Sequence, residues 1–298
     1  MRHFLEVDDL APAELEEVLD RAAAPMRPPV LAGQGMALVF EKPSARTRHS
    51  MEMAVVQLGG HPVYVQGAEV GMDERESVED VARTLACYHA AIGARVFAHR
   101  TVERMAAVSP VPIVNLLSDQ AHPMQALADL LTIRQEVGGD MAGRTLAWVG
   151  DANNVCRSLC LGAAMSGMKV RVATPAGYGF AEADLGRLRR AGDQPLLTSD
   201  PASAVAGADV VCTDVWVSMG QEPQAEQRRA DFAPYQVTTR LLELAAPSAI
   251  FLHCLPAHRG QEVTAAVVDG PRSRVWAQAT NRMHAARGLL WFLLEQGS

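Results

Sequence analysis

Short, continuous apolar runs alternate along the chain with longer segments in which apolar residues recur every three or four positions. The runs "GMALVF", "HPVYVQ", "ARVFAH" and "VPIVNLL" read as buried strands, and the segments near 8–23, after Ser44 and near 76–90 read as helices between them. A longer helix, "ALADLLTIRQEVG", ends at Gly138 and Gly139, a stop signal that marks a boundary. From "RTLAWVGDANNVCRSLCLGAAMSGMKVRVATP" a second strand–turn–helix–strand pattern begins, and "ADVVCTDVW" and "AIFLHCLP" are two later buried strands. The C-terminal "NRMHAARGLLWFLLEQ" predicts an amphipathic helix that must pack against something. Strands alternating with helices predict an α/β fold of two doubly wound domains with parallel central sheets covered on both faces.

Each strand runs directly into a polar loop: "SARTR", "HPMQ", "GDANN", "TDVWVSMG" and "HCLPAHRG". In open α/β sheets ligands bind outside the carboxyl ends of the strands. Five chemically loaded loops at strand ends therefore point to one shared site.

Composition narrows the classes. At 298 residues, two domains is the natural expectation. With 49% hydrophobic and 20% charged residues, and no apolar run long enough to span a bilayer, a membrane protein is not expected. The N-terminus carries acidic residues early and reads as a capped helix rather than a targeting peptide, which gives a cytoplasmic expectation. A net charge of -7 argues against nucleic acid as a partner, so locally concentrated positive charge means more. The five cysteines form no CxxC pair and read as reduced thiols, Cys156 and Cys160 as small buried hydrophobes.

Ser44 is placed to cap the following helix, whose first turn exposes backbone N–H groups to an anion; Arg46 and Thr47 would add a charged fork and a hydroxyl, together matching a phosphate. Solvated arginines on a capped helix are the plainer alternative. His122 and Gln125, three residues apart at a helix start, can reach one small group, and a histidine with an amide suits a carbamoyl group. "GDANN" lacks the glycines of a dinucleotide turn; Asn153 and Asn154 could cap the next helix or present amides to a polar ligand. Asp214 and Ser218 fit either local turns or a site, and Cys254 is either a structural thiol or, beside a carboxylate, a group that orients an amine.

Taken together, "FEKPSARTR", "HPMQALADLLTI", "GDANN", "TDVWVSMGQE" and "HCLPAHRG", in this order, resemble the aspartate/ornithine transcarbamylase family, the ornithine carbamoyltransferases in particular, over nearly the whole chain. The resemblance implies carbamoyl transfer from carbamoyl phosphate to the δ-amine of L-ornithine. It implies a carbamoyl phosphate domain over 1–138, an amino-acid domain over 139–279, and a last helix, 280–298, that returns to the first, with helices joining the two. Ser44, Ala45, Arg46 and Thr47 match the phosphate loop, and Arg95 the arginine bridging phosphate and carbamoyl oxygens. His122 and Gln125 match the pair gripping the carbamoyl group; Asn154, Asp214, Ser218 and Met219 match ornithine-binding positions. Cys254, Leu255 and Arg282 match residues that close over the reacting centre, with Arg95, His122, Asp214 and Cys254 in catalytic roles. The resemblance further implies a homotrimer, and the chemistry requires no metal or organic cofactor.

Two departures stand out. Ala45 occupies a position where the family usually has threonine, losing one hydroxyl contact worth about 1 kcal/mol. Gly71 is the best match for a position at which relatives supply a polar side chain to a neighbouring subunit's phosphate. These motivate a rival expectation of a catalytically weak regulatory relative. Another rival is a transcarbamylase for putrescine, lysine or an acylated ornithine, although "SMG" and "HCLP" favour ornithine.

Overall fold

A computed structural model describes residues 1–192, 194–218 and 220–295. The chain divides into two compact units, Met1–Leu131 with Thr280–Ser298, and Thr132–Ala279. The division falls inside a helix, ahead of Gly138 and Gly139, both of which adopt positive φ.

The first unit holds, in order, α1 (Pro12–Ala23), β1 (Gly35–Phe40), α2 (Ala45–Gln57), β2 (His61–Gln66), α3 (Gly67–Val70), α4 (Val78–Ala86), β3 (His89–Arg95), α5 (His99–Val108) and β4 (Ile113–Leu117). Helix α6 (Pro123–Glu136) begins in this unit and ends in the next. The four strands form a parallel sheet in the order β2-β1-β3-β4. Its inner strands are buried on both faces, as parallel sheets demand, and Ala37, Val39, Ile92 and Ala94 meet Val102 and Met105 of α5 in the core. The strand expected at "ARVFAH" lies earlier: β3 starts at His89 to pair with Gly35 of β1, and His99 already opens α5.

The second unit continues with β5 (Thr145–Val149), α7 (Asn154–Met165), β6 (Lys169–Ala173), α8 (Glu182–Arg190), β7 (Leu196–Thr198), α9 (Pro201–Val205), β8 (Val210–Thr213), α10 (Ala225–Phe232), α11 (Thr239–Leu242), β9 (Ile250–His253) and α12 (Ala265–Val268). Its five parallel strands follow the order β7-β6-β5-β8-β9. Val149, Trp216, Phe232, Phe251 and Val263 anchor the core on one side of this sheet.

Helix α13 (Val275–Glu295) spans the second division point. The expected amphipathic pattern is not what forms: from Ala285 to Leu293 every residue is buried, so this stretch of the helix has no exposed face. It comes very close to α1, since a Cβ at Gly288 would lie 2.6 Å from the Ala22 nitrogen and 2.7 Å from the Val18 oxygen. Among the described residues no helix is long and apolar enough to cross a membrane.

Both sheets reverse their winding once. β1 leads outward to β2 and then back across to β3, and β5 likewise leads to β6 and then back to β8. The crevice at such a reversal, at the strands' carboxyl ends, is where open α/β sheets bind ligands.

Candidate functional site

The reversal point of the first sheet carries the residues that the sequence suggests for an anion. Ser44 ends the loop after β1 in extended conformation and caps α2, its Oγ 3.4 Å from the Thr47 N–H and 3.1 Å from Thr47 Oγ1. Thr47 is buried, whereas Ala45 and Arg46 are exposed in the same first turn, where unpaired N–H groups and the helix dipole favour an anion. Arg95, 5% exposed, closes β3 beside Phe40 of β1. The loop after β4 places His122 immediately before α6, where its carbonyl accepts from the Gln125 N–H at 3.0 Å.

Arg282 of α13 ties these elements together. Its Nη2 donates to Thr47 Oγ1 at 2.8 Å and its Nη1 donates to Gln125 Oε1, both contacts buried. Residues remote in sequence thus form one chain of hydrogen bonds, Ser44–Thr47–Arg282–Gln125. His122 sits within the field of this cluster. Burial, followed by the charges of Arg282, Arg95 and Arg46, holds its pKa well below 6.5, so the imidazole is neutral and carries a single N–H.

The second sheet's reversal point gathers polar groups of another kind. Asp214, directly after β8 and 7% exposed, accepts from Cys254 Sγ at 3.0 Å through Oδ1 and from Asn153 Nδ2 at 2.8 Å through Oδ2. Asn153 also caps α7, its Oδ1 accepting from the Val155 and Cys156 N–H groups at 3.0 Å. Asn153 therefore caps the helix, as one of the two expectations had it, and turns its NH₂ to Asp214. Asn154 turns its Oδ1 to the Val155 N–H at 3.1 Å, and Ser218 is held by its own N–H donating to Gln221 Oε1 at 3.0 Å, so neither joins the Asp214–Cys254 pair through these contacts. Met219 lies outside the described residues.

His253 braces the loop that carries Cys254. Its Nδ1 accepts from the Leu255 N–H at 2.9 Å, which leaves Nε2 to face Glu262 Oε1 at 3.1 Å, with His253 and Glu262 almost wholly enclosed. Leu255 itself takes φ +60, a left-handed conformation uncommon for a non-glycine residue. Asp214, His253 and Cys254 each bring a possible metal-ligand atom within 4.8 Å of the others. Both nitrogens of His253 are already engaged, so the cluster is built as a hydrogen-bonded support rather than as a ligand set.

Two buried cations, Lys42 and Arg228, escaped the sequence reading. Lys42 is 9% exposed, with Nζ 4.6 Å from the Phe97 ring centre, and burial together with the nearby Arg95 charge pushes its pKa down. Its place in "FEKPSARTR" was a usable signal. Arg228, packed under the loop after β8, donates to the Trp216 carbonyl at 2.5 Å and to the Asp151 carboxylate, and stacks on Tyr178 and Phe232; nothing local in sequence announces it. Arg48 is used structurally, with Nε on Glu52 at 2.7 Å and its guanidinium 3.8 Å from the Tyr64 ring centre. Gly71 ends α3 at φ +56, and a Cβ there would meet the Arg75 Cβ at 2.9 Å, so the backbone itself explains why no side chain occupies the position.

Comparison with known proteins extends this picture to the whole chain. Residues 2–135 match the aspartate/ornithine carbamoyltransferase carbamoyl-P binding domain, and residues 142–293 match the Asp/Orn binding domain of the same family. An ornithine carbamoyltransferase of Thermus thermophilus is 50% identical over 298 residues, 99% of this chain and 97% of that protein. The crystal structure of ornithine carbamoyltransferase from Thermus thermophilus matches with a TM-score of 0.90 at 47% identity over 99% of both chains. That of the Pyrococcus furiosus enzyme matches with 0.94 at 42% identity, over 99% of this chain and 97% of the other.

Proposed function

Because the chain belongs to the aspartate/ornithine carbamoyltransferase family, we propose that it transfers the carbamoyl group of carbamoyl phosphate to the δ-amine of L-ornithine, giving L-citrulline and phosphate. The observation that carries the reading is the Ser44–Thr47–Arg282–Gln125 chain, buried from Thr47 onward, beside a neutral His122. It combines hydroxyls and cations suited to a phosphate with an amide and an imidazole suited to a carbamoyl group.

In this reading the first unit binds carbamoyl phosphate. The phosphate takes N–H groups of the first turn of α2, including that of Ala45, with the Ser44 and Thr47 hydroxyls and the Arg46 guanidinium. The ornithine δ-amine, with an unperturbed pKa near 10.4, must lose a proton before it attacks, which at pH 7.5 costs about 4 kcal/mol. Asn154, Asp214, Ser218 and Met219 hold the amino acid in the second unit, where the Asp214 carboxylate and the Cys254 thiol orient the amine. Attack puts negative charge on the carbamoyl oxygen. Arg95, Thr47 and the single N–H of neutral His122 are donors for that charge. The intermediate collapses with cleavage of the carbon–oxygen bond to phosphate, and the leaving phosphate takes the second proton, the one that attack leaves on the amine nitrogen.

The direct test is citrulline formation from carbamoyl phosphate and ornithine, with putrescine, lysine, acetylornithine and aspartate as competing acceptors. No citrulline at millimolar substrates from folded protein overturns the proposal. The five free thiols support a reducing, cytoplasmic setting. The reading includes a homotrimer, for which light scattering should give about three times the 32.0 kDa chain mass.

A further inference from the structure

Asp129 belongs to none of the strand-end loops. It lies one turn beyond Gln125 on α6 and is 1% exposed, where an acidic residue is seldom found without a strong partner. Its Oδ1 accepts from Gln125 Nε2 at 2.7 Å, in a fully buried contact. On the other side of the same amide, Arg282 donates to Oε1. A carboxylate only accepts and a guanidinium only donates, so the two neighbours admit a single orientation of the Gln125 amide.

We infer that Asp129 is a positioning residue: by fixing Nε2 it joins Arg282 in obliging Gln125 to present its oxygen to the ligand, which selects an acyl phosphate bearing an N–H donor over one bearing a methyl. The inference rests on Gln125 being the carbamoyl contact proposed above. An amide oxygen has two lone pairs, so Oε1 can serve Arg282 and a carbamoyl NH₂ together. Reversed, the Gln125 NH₂ would face two sets of donors, and in a buried setting each unmatched donor is costly. An acetyl group makes no use of the oxygen in either orientation.

Acetyl phosphate, which carries a methyl in place of the NH₂, separates positioning from general damage. In Asp129→Asn the new amide can offer oxygen or NH₂ to Gln125, so the orientation is no longer imposed from the Nε2 side and rests on Arg282 alone. The expected result is a rise of about threefold in the KM for carbamoyl phosphate, with the inhibition constant of acetyl phosphate and the KM for ornithine unchanged. In a Gln125→Ala background, Asp129→Asn should add nothing further. A parallel weakening of carbamoyl and acetyl phosphate, or an unchanged ratio between them, overturns the inference. If Asp129→Asn does not fold, Asp129→Ser is judged by the same ratio. Wild-type protein that makes no citrulline defeats the proposed function; wild type that makes it while the variant keeps its discrimination defeats this inference alone.

Discussion

Ala45 and Arg46 stand side by side, exposed, in the first turn of α2, yet they have opposite consequences. Arg46→Ala should abolish measurable phosphate binding in calorimetry. Ala45→Thr restores one hydroxyl and should tighten carbamoyl phosphate about fivefold, the equivalent of about 1 kcal/mol; an unchanged Kd would show that the hydroxyl is not missed. His122 makes a different prediction, one about pH. Its folded-state pKa lies below 6.5, so above 6.5 the folded and unfolded chains are both neutral at this group and nothing is lost. As pH falls below 6.5 the unfolded chain takes up a proton that the folded chain refuses, and stability declines. Between pH 7.5 and 5.5 this one group should lower stability progressively. Urea unfolding of wild type and His122→Asn at both pH values checks it, since the variant should lack that increment; equal losses would contradict it.

At the scale of elements, α13 against α1 is the contact most sensitive to a single methyl. Gly288→Ala would drive a Cβ into the backbone of Val18 and Ala22, which cannot swing away as a side chain can. Overpacking of this kind costs about 1–3 kcal/mol or more, and a chemical denaturation midpoint unchanged from wild type would refute the close approach. The same element shows where sequence stops being informative. The Ser44 cap, the His122–Gln125 pair and the strands ending in polar loops were legible because each is a local pattern: a cap signal, a helical spacing, an apolar run meeting a polar one. The role of Asp129 was not, and Arg282 was named only through the family resemblance, without its partners. Arg282 lies 235 residues from Thr47 and 157 from Gln125, and only tertiary structure brings them within hydrogen-bond reach. Asp129 reads as an ordinary polar position on a helix whose face turns out to be buried. α13 departs from the amphipathic expectation for a related reason: Arg287, a charged residue, is buried, with Nη2 donating to the Ala22 and Ala24 carbonyls at 2.8 Å.

Across the whole molecule, the first unit is assembled from two stretches separated by the entire second unit. Leu289, Leu290, Phe292 and Leu293 are each at most 1% exposed, and burying four such side chains contributes about 6–12 kcal/mol, on the order of a domain's whole stability. Deleting residues 280–298 should therefore unfold the first unit, seen as a loss of helical circular dichroism and of citrulline formation; a truncated chain that keeps a cooperative transition of wild-type size would disprove it. Synthesis on the ribosome adds a temporal consequence. The contiguous second unit has all its residues once Ala279 has been translated, whereas the first, begun earlier, lacks a wall of its core until the final helix is made. Its nascent apolar surface stays open throughout that interval, a natural client for holding chaperones, and the part translated first is the part finished last.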